Sequence, residues 1–231
     1  INLANFVKLD LQDVVNEFNF YINKFTGSFY TIPEVMNCLD LGQMALYSDL
    51  KPKYATSQLV KDALSPFMAT YNFTTQVSGY VIVPDTAYLD LRDIQIYFQI
   101  SNRTVYAPVK LVNEDERARR LNSQTDPVTI TNPIGEQTAQ KTFRLYPTGT
   151  YNGNVAYFTR PVKPVFAYSV ISGRVIVYDQ NASTQLQWRD SEIPTLIIKA
   201  VKAAGWNLRA EDIAAWSEAQ SQGNYVNMNR L

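Results

Sequence analysis

Ile94-Gln95-Ile96-Tyr97-Phe98-Gln99-Ile100-Ser101-Asn102-Arg103-Thr104-Val105-Tyr106-Ala107-Pro108-Val109-Lys110-Leu111 is the stretch from which the fold of this chain is read. Ile94, Ile96, Phe98 and Ile100 alternate with Gln95, Tyr97 and Gln99, the strand period that turns one face inward. Beyond the turn Ser101-Asn102-Arg103, the residues Val105, Ala107, Val109 and Leu111 continue one apolar face. The stretch therefore predicts an antiparallel hairpin with one wet side. Two more antiparallel pairs are expected: 143–146 with 155–158 around Asn152-Gly153, and 165–170 with 174–178 around Ser172-Gly173. Hairpins with no helix between their strands predict an α+β domain rather than a parallel βαβ sheet.

On either side of this strand-rich zone the period becomes helical. Val14, Val15, Phe18, Tyr21, Ile22 and Phe25 recur at helical spacing after Asp10, and Gly27 is a natural stop. Thr31-Ile32-Pro33-Glu34 fits a capping box, with Glu34 reaching back to the N-terminus of a second helix. Val35, Met36, Leu39, Leu46 and Tyr47 form its inner face, and Lys51-Pro52-Lys53 ends it near Leu50. A third helix is expected from Thr56 or Ser57, burying Leu59, Val60, Ala63, Leu64, Phe67 and Met68, with Pro66 kinking or shortening it. Near the C-terminus, Leu196, Ile197, Ala200, Val201 and Ala204 follow a Ser191 cap, with Gly205 as the exit and a final helix around Ile213 and Trp216. The expected organisation is a helical segment at 1–78, an antiparallel β domain at 79–182 with a long excursion at 113–140, and a helical segment with an arm at 183–231. The helical ends are expected to pack together, and the 221–231 arm is poor in packing residues.

The composition narrows the chemistry. The 231 residues hold no histidine and a single cysteine, Cys38, while 46% are hydrophobic and fifteen are tyrosine. Histidine titrates near neutrality and is the commonest metal ligand, so its absence removes most triad, general-base and zinc readings. Without a histidine base, Cys38 reads as a small buried hydrophobe, and it has no partner for an intrachain disulfide. Twenty-one acidic and twenty-one basic residues cancel, leaving no field to hold nucleic acid through its phosphates. No dinucleotide fingerprint, P-loop or zincin motif occurs. Charges at Lys8, Asp10, Asp13, Glu17 and Lys24 are wrong for a signal peptide, and no apolar run approaches the length of a membrane span. The sequons at Asn72, Asn102 and Asn181 are read as chance.

Candidate functional residues come with ordinary explanations. The acidic pairs Asp10 with Asp13, Asp190 with Glu192, and Glu211 with Asp212 lie at predicted helix starts, where negative charge complements the helix dipole. The run Glu114-Asp115-Glu116-Arg117-Ala118-Arg119-Arg120 predicts a short charged helix. It is either a solvated face, with Glu116 and Arg120 paired one turn apart, or a contact between subunits. The tyrosines of the strand zone, Tyr97 and Tyr106 among them, suit interfaces because they are large, stiff and amphipathic.

Several of these segments resemble the ring-forming virion proteins of crAss-like bacteriophages: Tyr21–Lys24, Gly27–Glu34, Leu64–Phe67, Gly79–Asp85 and Glu116–Arg120. Phe143–Pro147 with Tyr157–Pro164, Gln187-Trp188 and Ala204–Leu208 extend the resemblance over most of the chain. The tail after Gln220 and Arg189-Asp190 depart from the pattern. The resemblance implies a non-enzymatic structural protein without cofactor, forming a ring of about twelve copies at the portal vertex, in the head-to-tail connector of a tailed phage. Its partners would be copies of itself and the portal and tail proteins, with double-stranded DNA passing through the lumen without specific binding. Its place would be the virion, after assembly in the host cytoplasm and away from any membrane. Glu116, Arg117, Arg119, Arg120, Tyr97 and Tyr106 are the candidate intersubunit contacts. The alternatives are a carbohydrate-binding or adhesin module that stacks sugars on strand tyrosines, and a histidine-free glycoside hydrolase, which needs two carboxylates facing across a cleft.

Overall fold

The computed structural model of the chain describes residues 9–26, 30–75, 77–100, 102–171 and 175–208. The architecture is α+β. The chain divides at 66/67 and at 160/161 into a helical unit, built from both ends of the sequence, and a β unit formed by the stretch between.

The helical unit opens with α1 (Leu11–Thr26) and α2 (Ile32–Leu50), followed by the short α3 (Gln58–Leu64). The Glu34 carboxylate accepts the Thr31 N–H at 2.8 Å, which starts α2 where the capping pattern predicts. Ser57 caps α3, whose helical hydrogen bonding gives way to a 3-10 turn at Ser65-Pro66-Phe67. Pro66 thus shortens the helix as expected. Leu59, expected inside, is 69% exposed, and Met68 is the first residue of a strand.

The β unit carries β1 (Met68–Thr74), β2 (Tyr80–Ile82), β3 (Tyr88–Ile100), β4 (Arg103–Pro108) and β5 (Lys110–Leu111). After these come α4 (Glu114–Leu121), β6 (Ile134–Ala139), β7 (Thr142–Tyr146) and β8 (Asn152–Thr159). One sheet has the order β1-β8-β3-β4 and the other β2-β7-β6-β5, and side chains from both fill a single core that includes Phe73, Val81, Ile94, Phe143, Leu145 and Val155. The β3–β4 hairpin forms in the expected register, with Ile100 opposite Arg103, and Asn102 takes φ 65 in its turn. Asparagine tolerates that left-handed conformation better than most residues.

Three expectations fail in the β unit. First, β1 lies upstream of Tyr80, where the strand zone is expected to start: Ala69, Tyr71 and Phe73 alternate with Thr70, Asn72 and Thr74 and turn toward the core, whereas Phe67 and Met68 are expected in the third helix. Second, β7 and β8 are not partners. β7 pairs with β2 and β6, while β8 lies between β1 and β3, so Asn152-Gly153 opens β8 instead of turning a hairpin. Gly153 is where β8 crosses closest: a Cβ there would run into the Gln95 carbonyl and the Phe73 ring. Third, Leu111 is exposed and Val112 buried, because the chain leaves the first sheet after β4 and β5 pairs in parallel with β6. The excursion at 113–140 therefore contains a helix and a strand.

After residue 160 the chain rejoins the helical unit as β9 (Tyr168–Ile171), β10 (Val175–Tyr178) and α5 (Ile193–Leu208). The antiparallel β9–β10 pair is as expected, but it stands as a separate two-stranded sheet. α5 packs on α1 and α2, burying Leu196, Ile197, Ala200, Val201 and Ala204 against a core that includes Phe18, Ile22, Leu39 and Leu46. The two ends of the sequence thus share one core. Their boundaries are 66/67 and 160/161 rather than the expected 78/79 and 182/183, since β1 belongs to the β unit and 161–182 to the helical unit.

Gly42 on α2 marks a close helix approach, as a Cβ there would lie 2.9 Å from the Ala200 backbone nitrogen. Gly205 is buried inside α5 instead of ending it, and Ser191 sits in a 3-10 turn whose cap position is Arg189. Gly27, the Ser172-Gly173 turn, the helix expected around Ile213 and Trp216, the Glu211–Asp212 pair and the 221–231 arm lie outside the described residues. No described helix is long and apolar enough to cross a membrane.

Candidate functional site

α4 is positioned by its own sequence. The Asn113 side chain accepts the Glu116 N–H at 2.8 Å, acidic residues fill the first turn, and Arg119 and Arg120 the last, which complements the helix dipole at both ends. Its charged side chains then reach to β5, β6 and the loop beyond the helix. Lys110 Nζ lies 2.7 Å from Glu116, Arg117 pairs with Glu136 and, at 3.3 Å, with Glu114, and Arg120 pairs with Asp126. Asp126 in turn accepts the Asn132 side-chain amide at 2.8 Å.

The expected Glu116–Arg120 pairing is therefore replaced by contacts off the helix, because strand and loop carry opposite charges within closer reach. The hydrogen bond from Lys110 holds the Glu116 carboxyl below its usual range, and the bond to Glu136 raises the Arg117 guanidinium above its own. Val112, Ile134 and Tyr146 form a small second core, with Val128 packed against it. Arg144 stacks over Tyr80 and Tyr146, 5.4 and 5.1 Å from the ring centres. Glu116, Arg117 and Arg120 accordingly fasten α4 and its loop to the second sheet, while Arg119 remains exposed.

Tyr97 and Tyr106 face each other across β3 and β4, ring centres 5.9 Å apart, and Tyr106 is 61% exposed. Other strand tyrosines go inside: Tyr88 and Tyr157 are buried against one another, and the Tyr157 hydroxyl donates to Asp85 at 2.8 Å. Burial, reinforced by that carboxylate, pushes the Tyr157 phenol up to about 12. The structure thus joins Tyr97 to Tyr106 and ties three of the α4 charges to separate partners on β5, β6 and the loop after the helix. No hydrogen bond or ion pair links the tyrosine pair to those partners among the described residues.

The acidic pairs are held at element ends. Asp10 accepts from the Tyr178 hydroxyl at 2.7 Å and the Gln185 amide at 3.2 Å. Burial raises the Asp10 carboxyl, but these hydrogen bonds outweigh it and hold the group low. Asp190 accepts the Leu9 N–H at 3.1 Å, and burial raises Glu192. Cys38 is buried, and desolvation pushes its thiol up to about 11.

Two features escaped the sequence reading. The β9–β10 hairpin exposes Val170, Ile171, Ile176 and Val177. Beside its base, a groove of about 260 Å³ is lined by the first turn of α2, including Ile32, Pro33 and Met36, and by Val165, Phe166 and Tyr168. Strand alternation says which residues share a face, but only the fold reveals that these four side chains, two on each face, stay exposed. A scan against protein-family models finds no match to the chain, and a search of curated proteins finds no similar sequence.

Proposed function

We propose that this chain is a structural virion protein that assembles into a homo-oligomeric ring in the head-to-tail connector of a tailed bacteriophage, as part of the conduit for genome packaging and ejection. The observation that carries the reading is the placement of apolar and aromatic side chains on exposed faces of ordered strands, from Tyr106 and Ile82 in the β unit to Val170 and Ile176 in the helical unit. Ordered strands that keep apolar and aromatic side chains on exposed faces supply surface suited to protein contacts. A ring needs two complementary patches on each subunit, and moderate contacts repeated around an axis are enough to hold it. The sequence resemblance to ring-forming proteins of crAss-like phages supplies the location, and portal and tail proteins are the neighbours it implies. A neutral chain suits a conduit, since a strongly basic lumen would retain the moving DNA.

The test is the purified chain by sedimentation velocity and negative-stain imaging, with and without portal and tail proteins. Closed rings with a central hole are expected. A chain that stays monomeric at high concentration and binds neither neighbour overturns the reading.

The tilted Tyr97–Tyr106 pair, with one ring mostly exposed, favours a second reading as a sugar-stacking surface. That reading requires glycan binding that is lost in Tyr106→Ala.

A further inference from the structure

β2 lies at an edge of the second sheet, where β7 is its one strand partner among the described residues. The Leu145 N–H donates to the Gly79 carbonyl at 2.9 Å and the Val83 N–H to the Lys141 carbonyl at 3.0 Å, so residues 79, 81 and 83 are the ones that bond to β7. In an antiparallel ladder the residues between them turn their N–H and C=O the other way. The backbone groups of Tyr80 and Ile82 therefore face the open edge, and no described residue pairs with them there. Their side chains, on the face away from the core, are 41% and 63% exposed, and β2 carries no charge to guard its edge. The same face holds an unsatisfied cation. Arg144 stands opposite Tyr80 on one side and Glu136 on the other. Opposite charges facing each other across two strands ordinarily pair, but Glu136 is taken by Arg117 of α4. Arg144 is left with no hydrogen bond or ion pair among the described residues, and its Nε is buried without an acceptor. The rings of Tyr80 and Tyr146, 5.4 and 5.1 Å away, hold the guanidinium in place without neutralising it. A buried donor left unbonded is costly, and rare enough in a native protein to ask for a reason.

We propose that the edge of β2 receives an extended segment of a different protein as a further strand of the second sheet, with an acidic side chain of that segment pairing with Arg144. Neighbouring strands lie about 4.8 Å apart, which puts the added strand about 10 Å from β7. Arg144 already reaches over the Tyr80 ring that stands between them, so a glutamate opposite Tyr80 closes the distance. The guanidinium donates in its own plane, the geometry a carboxylate matches. β2 is short and offers the backbone of only two residues to a new ladder, so the ion pair decides which segment is taken. A second copy does not supply that segment, because β1, β4, β5, β9 and β10, the other strands at sheet edges, contain no acidic residue. The proposal is independent of the ring reading, since it concerns a neighbouring protein and not a contact between copies.

The test uses the full chain and a dye-labelled peptide of alternating valine and threonine in which a central glutamate replaces one threonine. Fluorescence anisotropy is expected to show saturable binding, and hydrogen–deuterium exchange should show the Tyr80 and Ile82 amides slowing when the peptide is added. Changing the glutamate to glutamine should weaken binding about 10-fold, and Arg144→Gln should bind both peptides alike, at the weaker level. N-methylation of the peptide backbone along the edge that meets β2 should abolish binding. A peptide that does not bind, that binds without slowing those two amides, or that binds as well when N-methylated overturns the strand addition. If the glutamate and glutamine peptides bind the unmodified chain equally, the pairing with Arg144 is overturned, whether or not the Arg144→Gln chain folds.

Discussion

At Gly42 the missing side chain is what allows α2 and α5 to approach, since a Cβ would press on the Ala200 backbone nitrogen and, at 3.0 Å, on the Leu196 carbonyl. Both neighbours are helix backbone and cannot rotate away. Gly42→Val is therefore expected to cost about 1–3 kcal/mol through overpacking, measured as a lower urea midpoint at unchanged slope. Glu192 shows the opposite case, a residue whose removal helps. Burial raises its folded pKa above the unfolded value, so ionisation opposes folding: its contribution is most favourable below the unfolded pKa and is lost as pH rises through the folded one. Glu192→Gln should raise Tm at pH 7, with the gain vanishing below about pH 4. Cys38 should resist a thiol reagent in the native state and react fully in denaturant; fast labelling of the folded chain would contradict its burial. Its inertness was legible from the sequence, because the chain holds no histidine to make a thiolate. The close approach at Gly42 was not, because nothing local to a glycine names the helix that will lie on it.

Among the elements, α4 separates charge pairs that matter from those that do not. Lys110 and Glu116 are 60% and 26% exposed at the side chain, so Lys110→Ala should change stability by no more than about 1 kcal/mol. Arg117 and Glu136 are 23% and 15% exposed, and Glu136→Ala strands a guanidinium with only the exposed Glu114 left to it. A larger loss of stability than for Lys110→Ala is expected, together with faster amide exchange confined to α4 and the loop after it. Elements whose partners lie next to them in sequence were read well: the β3–β4 hairpin, the capped start of α2, and the dipole-matched α4. Elements whose partners are distant were not. Asn152-Gly153 has hairpin chemistry, yet β8 is captured by β1 and β3, whose paired residues lie 55 to 90 positions upstream. The strands at 168–171 and 175–178 were expected, but the apolar alternation around exposed Val170 and Ile176 looks the same as that of a buried pair.

For the whole molecule, the β unit is an insertion with adjoining ends. Met68 is opposite Phe158 in the β1–β8 ladder, so the chain enters and leaves the unit on neighbouring strands. A fragment spanning 67–160 is expected to fold alone, with a dispersed amide spectrum and a single cooperative transition, and joining 66 to 161 by a short linker should preserve the helical unit. Residues 1–66 expressed alone should give little helix, because α1 and α2 bury their apolar stripes against α5. The helical ends were expected to pack together from their matching periodicity, whereas the boundaries depended on which sheet claimed β1.

This dependence on α5 has a consequence on the ribosome. The inserted unit has every strand it needs once residue 160 has emerged, but α1 and α2 must await a partner translated roughly 130 residues after α2 and α3 are complete. At ordinary elongation speeds that delay is on the order of ten seconds. During it, two amphipathic helices face solvent with their stripes bare, so nascent chains halted before residue 193 should recruit holdase chaperones more strongly than chains released at full length.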